Sequence, residues 1–290
     1  MEERMARERS SSARAWKHVA RAIAYIVIVA LCVVMVFPVY WLLITAVKAG
    51  NDISSFPPIF IPLRVTAENF SNVFVKQGIG LNLFNSIVVT ALSVFFLVLI
   101  GSMAAYALSK PVLPRRTTQG ILIWILITRI FPPVTTVIPY FMIIKTIGLI
   151  DTRASLVLTY VSYGLPFAIW LMLGFFQELP KEIEEAALVE GYTLSQRFFY
   201  ILLPLTLPGI AVTAIFMFIY SWNEFMFATT LTTLRAKTLP VVISTFMSDK
   251  YLDWGSMATM GTLMIVPIIL FSLFSQKYLV RGLTFGAVKG

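Results

Sequence analysis

The stretch Gln177-Glu-Leu-Pro-Lys-Glu-Ile-Glu-Glu-Ala-Ala-Leu-Val-Glu-Gly-Tyr-Thr-Leu-Ser-Gln-Arg197, continuing through Phe-Phe-Tyr-Ile-Leu-Leu to Pro204, holds five of the chain's fourteen acidic residues. Its local signals predict two short helices. Pro180 suits a first helical position, and Glu182, Glu184 and Glu185 fall near the positive end of the helix dipole. Gly191 is placed to end that helix in a left-handed conformation. Thr193 and Gln196 then form the capping-box pattern that starts the next one. Pro204 closes the element.

On either side the charges vanish. Arg153 to Glu178 encloses 24 uncharged residues, and Arg197 to Glu224 encloses 26. Four more long runs lie outward: Arg21–Lys48, Lys76–Lys110, Arg116–Lys145 (interrupted only by Arg129) and Asp253–Lys277. A helix needs roughly 20 apolar residues to cross a ~30 Å hydrocarbon core. Six spans are therefore predicted, near 22–46, 84–108, 120–144, 154–176, 206–230 and 257–276. They are continuous rather than alternating, which selects helices over a transmembrane β-barrel. The fold class is an all-α polytopic membrane protein. Residues 1–21 form a basic leader, 22–276 the transmembrane domain with its loop 177–205, and 277–290 a tail. The stretch 238–248 is too short to span and reads as an external or re-entrant segment.

Composition agrees. Over 290 residues, 58% are hydrophobic and 13% charged, and the mean hydropathy is +0.85. A soluble fold could not hide that much apolar surface. One cysteine and one histidine exclude a disulfide framework and a Cys/His metal cluster. The first apolar run far exceeds the 7–15 residues of a signal-peptide core, so it reads as a retained anchor.

Loop charge sets the orientation. One side carries 14 Lys and Arg, six of them in the leader, and the other carries eight. The richer side is expected to be cytoplasmic, which places both termini there. The net charge of +9 is thus largely a topology signal. The loop 177–205 is the acidic exception on that side.

Ordering some 28 residues where four would connect two spans asks for a reason. A compact helical hairpin with small residues at Ala186 and Ala187 fits a groove on a soluble partner. It also fits an amphipathic hairpin lying in the interface. The residues alone leave both open.

Glu185-Ala186-Ala187, three residues, Gly191, nine residues, then Ile201-x-Leu203-Pro204 resembles the EAA-loop signature of ABC importer permeases at every motif position. More broadly the chain is similar to six-span permease subunits of maltose-type carbohydrate importers. Asn85-Ser86, Arg129-x-x-Pro132-Pro133, Gly164-Leu-Pro166, Trp222-Asn223-Glu224-Phe225 and the terminal Gly282-Leu-Thr-x-Gly286-Ala-Val-Lys289-Gly290 extend the likeness over nearly the whole chain. The resemblance implies a type I importer half-channel in a prokaryotic plasma membrane. Its partners would be a second, non-identical permease, two cytosolic ATPase subunits and an extracytoplasmic solute-binding protein, with no nucleic acid. Glu185, Ala186, Ala187, Gly191, Ile201, Leu203 and Pro204 would couple to the ATPase, and Gly286 and Lys289 would reach toward it. The cargo implied is a sugar or polyol, with glycerol phosphate as an alternative. ATP and Mg would sit in the ATPase, since this chain has no G-x-x-x-x-G-K-[ST] loop and no cofactor or enzymatic role of its own is expected.

Polar groups inside the spans are the pathway candidates. Arg129 costs roughly 2.5–3.5 kcal/mol on insertion scales, so it should face protein or water. Pro132 and Pro133 break the helix beside it. The guanidinium either satisfies the freed carbonyls or lines the pathway. Trp222, Asn223 and Glu224 combine groups that hold sugars, and also suit an interfacial belt. Asn85 and Tyr163 are weaker candidates. External segments 47–82 and 231–256 are long enough to meet a binding protein, with Asp249, Lys250, Asp253 and Trp254 as possible contacts. A stand-alone secondary transporter would be expected to show inverted repeats, and none is evident.

Overall fold

The computed structural model describes the backbone of residues 2–62, 64–110, 114–248 and 251–287, with side chains from 16 to 274 apart from short gaps. The expectations for Asp249, Lys250 and Lys289 lie outside the described residues, as does the side-chain setting of the tail. Helices dominate. Extended pairing among the described residues is a two-residue antiparallel ladder, Met247–Ser248 with Tyr251–Leu252.

Four helices are long and apolar enough to cross a membrane unbroken: Trp16–Val47 within α1 (Glu2–Val47), α2 (Gly80–Ser109), α5 (Arg153–Gln177) and Trp254–Phe274 within α11 (Trp254–Ala287). The other two predicted spans are bent. Residues 120–144 do not form one rod. The chain turns by 97° between Arg116–Thr128 of α3 (Arg115–Thr128) and α4 (Pro133–Thr146). Pro132 is extended at the start of α4 and Pro133 is its first residue, so the proline pair ends one helix and opens the next. The run 206–230 is also divided. A 79° bend separates Leu194–Leu205 (α7) from Leu207–Trp222 (α8), and residues 223–225 break α8 from α9 (Met226–Leu231). The stretch 238–248 contains α10 (Leu239–Thr245), a short helix as its length required.

The chain clusters into two compact units. The first joins residues 1–72 to 253–262. Here the end of α1 is closed by Asn69, whose amide donates to the carbonyls of Ala46 (3.0 Å) and Lys48 (2.8 Å). Tyr40 donates to Phe60 O at 2.6 Å. Trp41 packs edge-on to Phe60 and lies under the Lys48 ammonium at 4.1 Å from its ring centre. The outer length of α1, from Trp16 to Val36, is exposed throughout, as a lipid-facing or partner-facing anchor requires.

The second unit, residues 73–252 and 263–290, is built on α2 against α5, with α8 across both. At the crossing, a Cβ on Gly101 would lie 2.9 Å from the Ala168 Cβ. Small residues bring the two backbones close where lipid offers no hydrophobic drive. Leu97, Ala168 and Met217 fill the centre, and Val89, Leu156, Tyr160, Phe227 and Leu231 fill one end.

Candidate functional site

The signature loop folds as the predicted hairpin. Pro180 is the N-cap of α6 (Lys181–Val189) rather than its first residue. Gly191 has φ +82, and its amide donates to Leu188 O while that of Tyr192 donates to Ala187 O. These two bonds close the helix in a Schellman turn. A Cβ at Gly191 would meet nothing within 4 Å, so the demand for glycine there comes from the backbone and not from crowding. Thr193 and Gln196 make both bonds of the capping box.

The signature residues divide between two faces. Glu185, Ala186, Gly191 and Pro204 are exposed, whereas Ala187 is buried and Ile201 and Leu203 turn partly inward. Ala187 therefore takes no part in an outer low-relief surface; its neighbour Ala186 does. Ile183, Ile201 and Leu203 pack on a core of Tyr106, Ile169, Met172, Phe176, Phe198 and Leu202, which belongs to α2, α5 and α7. Tyr106, Phe176 and Phe198 form a three-ring contact with centroids 5.4–6.2 Å apart. On the outer face stand Leu188 (58% exposed), Val189 (89%) and Leu194 (62%) among Glu182, Glu185 and Glu190.

One charged contact fastens the hairpin to α2. Glu184 accepts a hydrogen bond from the Tyr106 hydroxyl at 2.7 Å and pairs with Arg197 at 3.5 Å and with Lys110 in close contact. Lys110 also lies 4.9 Å from the Tyr106 ring centre. Burial, with Arg197 and Lys181 nearby, pulls the Lys110 pKa down from its ordinary value. Glu184 thus serves as the counter-ion that holds this cationic corner together. The ion pairs among the described residues both involve Glu184.

The pathway candidates do not form one constellation. Arg129 is exposed at the end of α3, stacked over Phe167 (5.2 Å) and Tyr163 (5.6 Å) of α5. The carbonyls at the break are taken by others: Tyr163 donates to Phe131 O at 3.0 Å and Thr135 to Pro132 O at 2.8 Å. Trp222 is buried and donates to Met264 O at 3.0 Å. Asn223 is exposed and donates to Ile219 O. Glu224 caps α9, accepting from the amides of Phe227 (2.8 Å) and Ala228 (3.0 Å). Asn85 is fully buried; its amide donates to the carbonyls of Arg235 and Lys237 and its oxygen accepts from Arg153.

Comparison with known proteins turns this geometry into a family assignment. The family model described as binding-protein-dependent transport system inner membrane component matches residues 97–285, which contain the whole hairpin and its α5 and α8 neighbours. The chain belongs to this family. The Trehalose transport system permease protein SugB of Mycobacterium tuberculosis is 35% identical over 87% of this chain and 92% of its own length. The diacetylchitobiose uptake system permease protein DasC of Streptomyces coelicolor is 32% identical over 98% and 100%. A bacterial ABC transporter that imports the acidic polysaccharide alginate has the same fold, with TM-score 0.78 at 20% identity over 90% of this chain and 97% of that one.

This permease is therefore a multi-pass membrane component of a transport system, of the importer-permease fold. Two of its fastenings escaped the sequence reading. Glu184 looked like a dipole partner, because nothing local reveals that Tyr106 and Lys110, more than 70 positions earlier, meet it. Asp151, just before α5, resembles an ordinary helix-start residue, yet Thr152 is the N-cap and Asp151 binds a loop some 80 positions later.

Proposed function

We propose that this permease forms half of the translocation pathway of an ATP-driven importer for a neutral sugar or polyol in a prokaryotic plasma membrane. The observation that carries the reading is the two-faced hairpin. Its inner face is fastened to α2 and α5 by an aromatic core and by Glu184, while Glu185, Ala186, Gly191, Leu188 and Val189 stand free. An interfacial hairpin needs no such rigid mount. A surface that receives force does. Closure of a cytosolic ATPase around α6 would load α2 through Glu184 and α5 through the aromatic core, and the bend between α7 and α8 gives α8 a place to swing. The basic leader and loops support placing this hairpin and both termini in the cytoplasm. The signature, the tail with Gly286 and Lys289, and the relatives named for trehalose and diacetylchitobiose support a companion permease, paired ATPases that bind ATP and Mg, and an external solute-binding protein.

The test is uptake by the full complex in proteoliposomes, with labelled trehalose, maltose, diacetylchitobiose and glycerol 3-phosphate offered in turn. Uptake of a neutral sugar that requires both ATP and the binding protein is expected. Uptake that persists without the ATPase would replace this reading with a secondary transporter, and a preference for glycerol phosphate would replace the cargo.

Arg129 is the pathway residue with the clearest expectation. It leaves no carbonyl unpartnered when removed, because Tyr163 and Thr135 already hold those at the break. Arg129→Ala should lower uptake about tenfold with the complex fully assembled, and Arg129→Lys should recover only part, since an ammonium lacks the planar stacking face. Loss of assembly, measured by size-exclusion chromatography, would mark the residue as structural.

A further inference from the structure

The loop between α9 and α10 carries no regular structure, yet it is held more tightly than any connection requires. Asp151, in a left-handed conformation (φ +59), directs its carboxylate at four consecutive amides. Those of Thr233 (3.0 Å), Leu234 (3.2 Å), Arg235 (3.0 Å) and Ala236 (3.1 Å) all donate to it. The Asp151 amide donates in turn to Leu231 O at 2.9 Å. From the start of α2, Asn82 donates to Lys237 O (3.1 Å), Asn85 donates to both Arg235 O and Lys237 O (2.9 Å each), and the Ser86 hydroxyl accepts from the Leu239 amide (2.8 Å). Burial pushes the Asp151 carboxyl up, but the four amides together outweigh it and bring the pKa down to about 2. The carboxylate therefore stays charged, and the latch closed, until the pH falls far below the usual carboxylate range.

The anchors are hidden and the tip is not. Ala236, Thr238 and Leu239 are buried, whereas Thr233, Arg235 and Leu234 (78% exposed) project. Lys237 and Arg153 are half-buried beside them. Because the Asp151 charge is spent on amides, the tip presents an apolar side chain on a basic base. This end of α2 is the one remote from Tyr106 and Lys110, and a 30-residue helix runs about 45 Å, more than the hydrocarbon core. The tip therefore lies on the face opposite the coupling hairpin, at the end of a helix longer than the hydrocarbon core is thick.

We infer that Asp151 is a positioning residue that fixes Leu234 and Arg235 as a docking knob for the solute-binding protein, seated on an acid-rimmed patch of that protein. This rests on the importer reading above and adds to it the residues that receive the partner. Charge complementarity selects that occupant, because a basic tip steers and orients an acidic partner. Rigidity matters because a pre-set knob loses less entropy on docking than a mobile loop.

The experiment uses the assembled transporter in nanodiscs of neutral phosphatidylcholine, with ATPase activity followed against the concentration of the importer's own purified, sugar-loaded binding protein. Leu234→Asp and Arg235→Glu should each raise the half-saturating concentration about tenfold at unchanged maximal rate. Asp151→Asn should do the same without altering the tip, since asparagine tolerates the left-handed backbone but offers one acceptor oxygen where two were used. Half-saturation unmoved by the two tip variants overturns the inference. So does an Asp151→Asn variant that loses maximal rate or assembly at unchanged half-saturation. A shift seen only in discs containing phosphatidylglycerol would assign the knob to anionic lipid instead. Absence of stimulation in the unaltered transporter would sink the importer reading itself, and is read before any variant.

Discussion

Gly191→Trp is expected to reduce sugar uptake by roughly two orders of magnitude while the permease itself folds normally and still captures loaded binding protein. The reasoning separates two costs. Most residues with a Cβ, tryptophan among them, meet a backbone penalty of about 1–2 kcal/mol at φ +82. That alone would loosen the turn without removing it, because both Schellman bonds involve the main chain. The second cost is bulk. A Cβ at Gly191 meets open space, so an indole would not disturb the permease itself. It would project from the exposed turn, beside Tyr192 and Val189, into the surface read as the ATPase seat. Gly191→Asn is the control: asparagine enters the left-handed region at small cost and adds little volume. It should keep most of the uptake. ATPase activity that no longer responds to binding protein in the tryptophan variant, with normal response in the asparagine variant, is the expected pattern. Normal uptake with tryptophan would end the docking account of this hairpin.

How much of this could be read from the chain depends on the range of the interaction. The hairpin was legible because its determinants are local. Gly191 sits one residue past a helix end, Thr193 and Gln196 are three apart, and each signal acts within a turn. The spans were legible because lipid imposes one rule on every residue of a crossing segment. Their bends were not fully legible. Pro132 and Pro133 announced a break, but the charge-free run still looked like one rod. The bend at Thr206 was signalled by Pro204, which closes the hairpin where the fifth predicted span begins, but the run 206–230 still looked like one rod across the break at 223–225.

The polar residues inside the spans show the converse. Trp222, Asn223 and Glu224 are adjacent in sequence and read as a sugar-holding group or an interfacial belt; the break between α8 and α9 sends them in different directions. One is buried against α11, one is exposed, and one caps the following helix. For Asn85, a weaker pathway candidate, sequence could not show that its amide group bonds Arg235, Lys237 and Arg153. Asp151 and Glu184 are the same lesson in charged form, for each acts on groups more than 70 positions away.

Glu184 gives the second large effect. Its side chain is 15% exposed, and those of Arg197 and Lys110 are 14% and 24% exposed, so solvent screens the cluster only in part. Glu184→Lys would place a third cation against Lys110 and Arg197, with Lys181 close behind. The hairpin would be expected to come away from α2, at a cost on the order of 3 kcal/mol or more, because unpaired half-buried charges are left behind. Glu184→Gln is milder. It can still accept from Tyr106 but cannot neutralise either cation, and a loss of about 1–2 kcal/mol is expected. The informative quantity is the number of sugar molecules moved per ATP hydrolysed. If Glu184 carries load from α6 into α2, hydrolysis should continue in the glutamine variant while transport per ATP falls several-fold. If Glu184 only stabilises the fold, both should fall together with the amount of folded complex. The double exchange Glu184→Lys with Lys110→Glu restores one pair of opposite charges across the same gap. Recovery of transport per ATP in the double variant beyond either single one, by at least the coupling expected of a direct contact, would establish that force passes through this pair. Additive losses would show instead that the aromatic core of Tyr106, Phe176 and Phe198 bears the load alone.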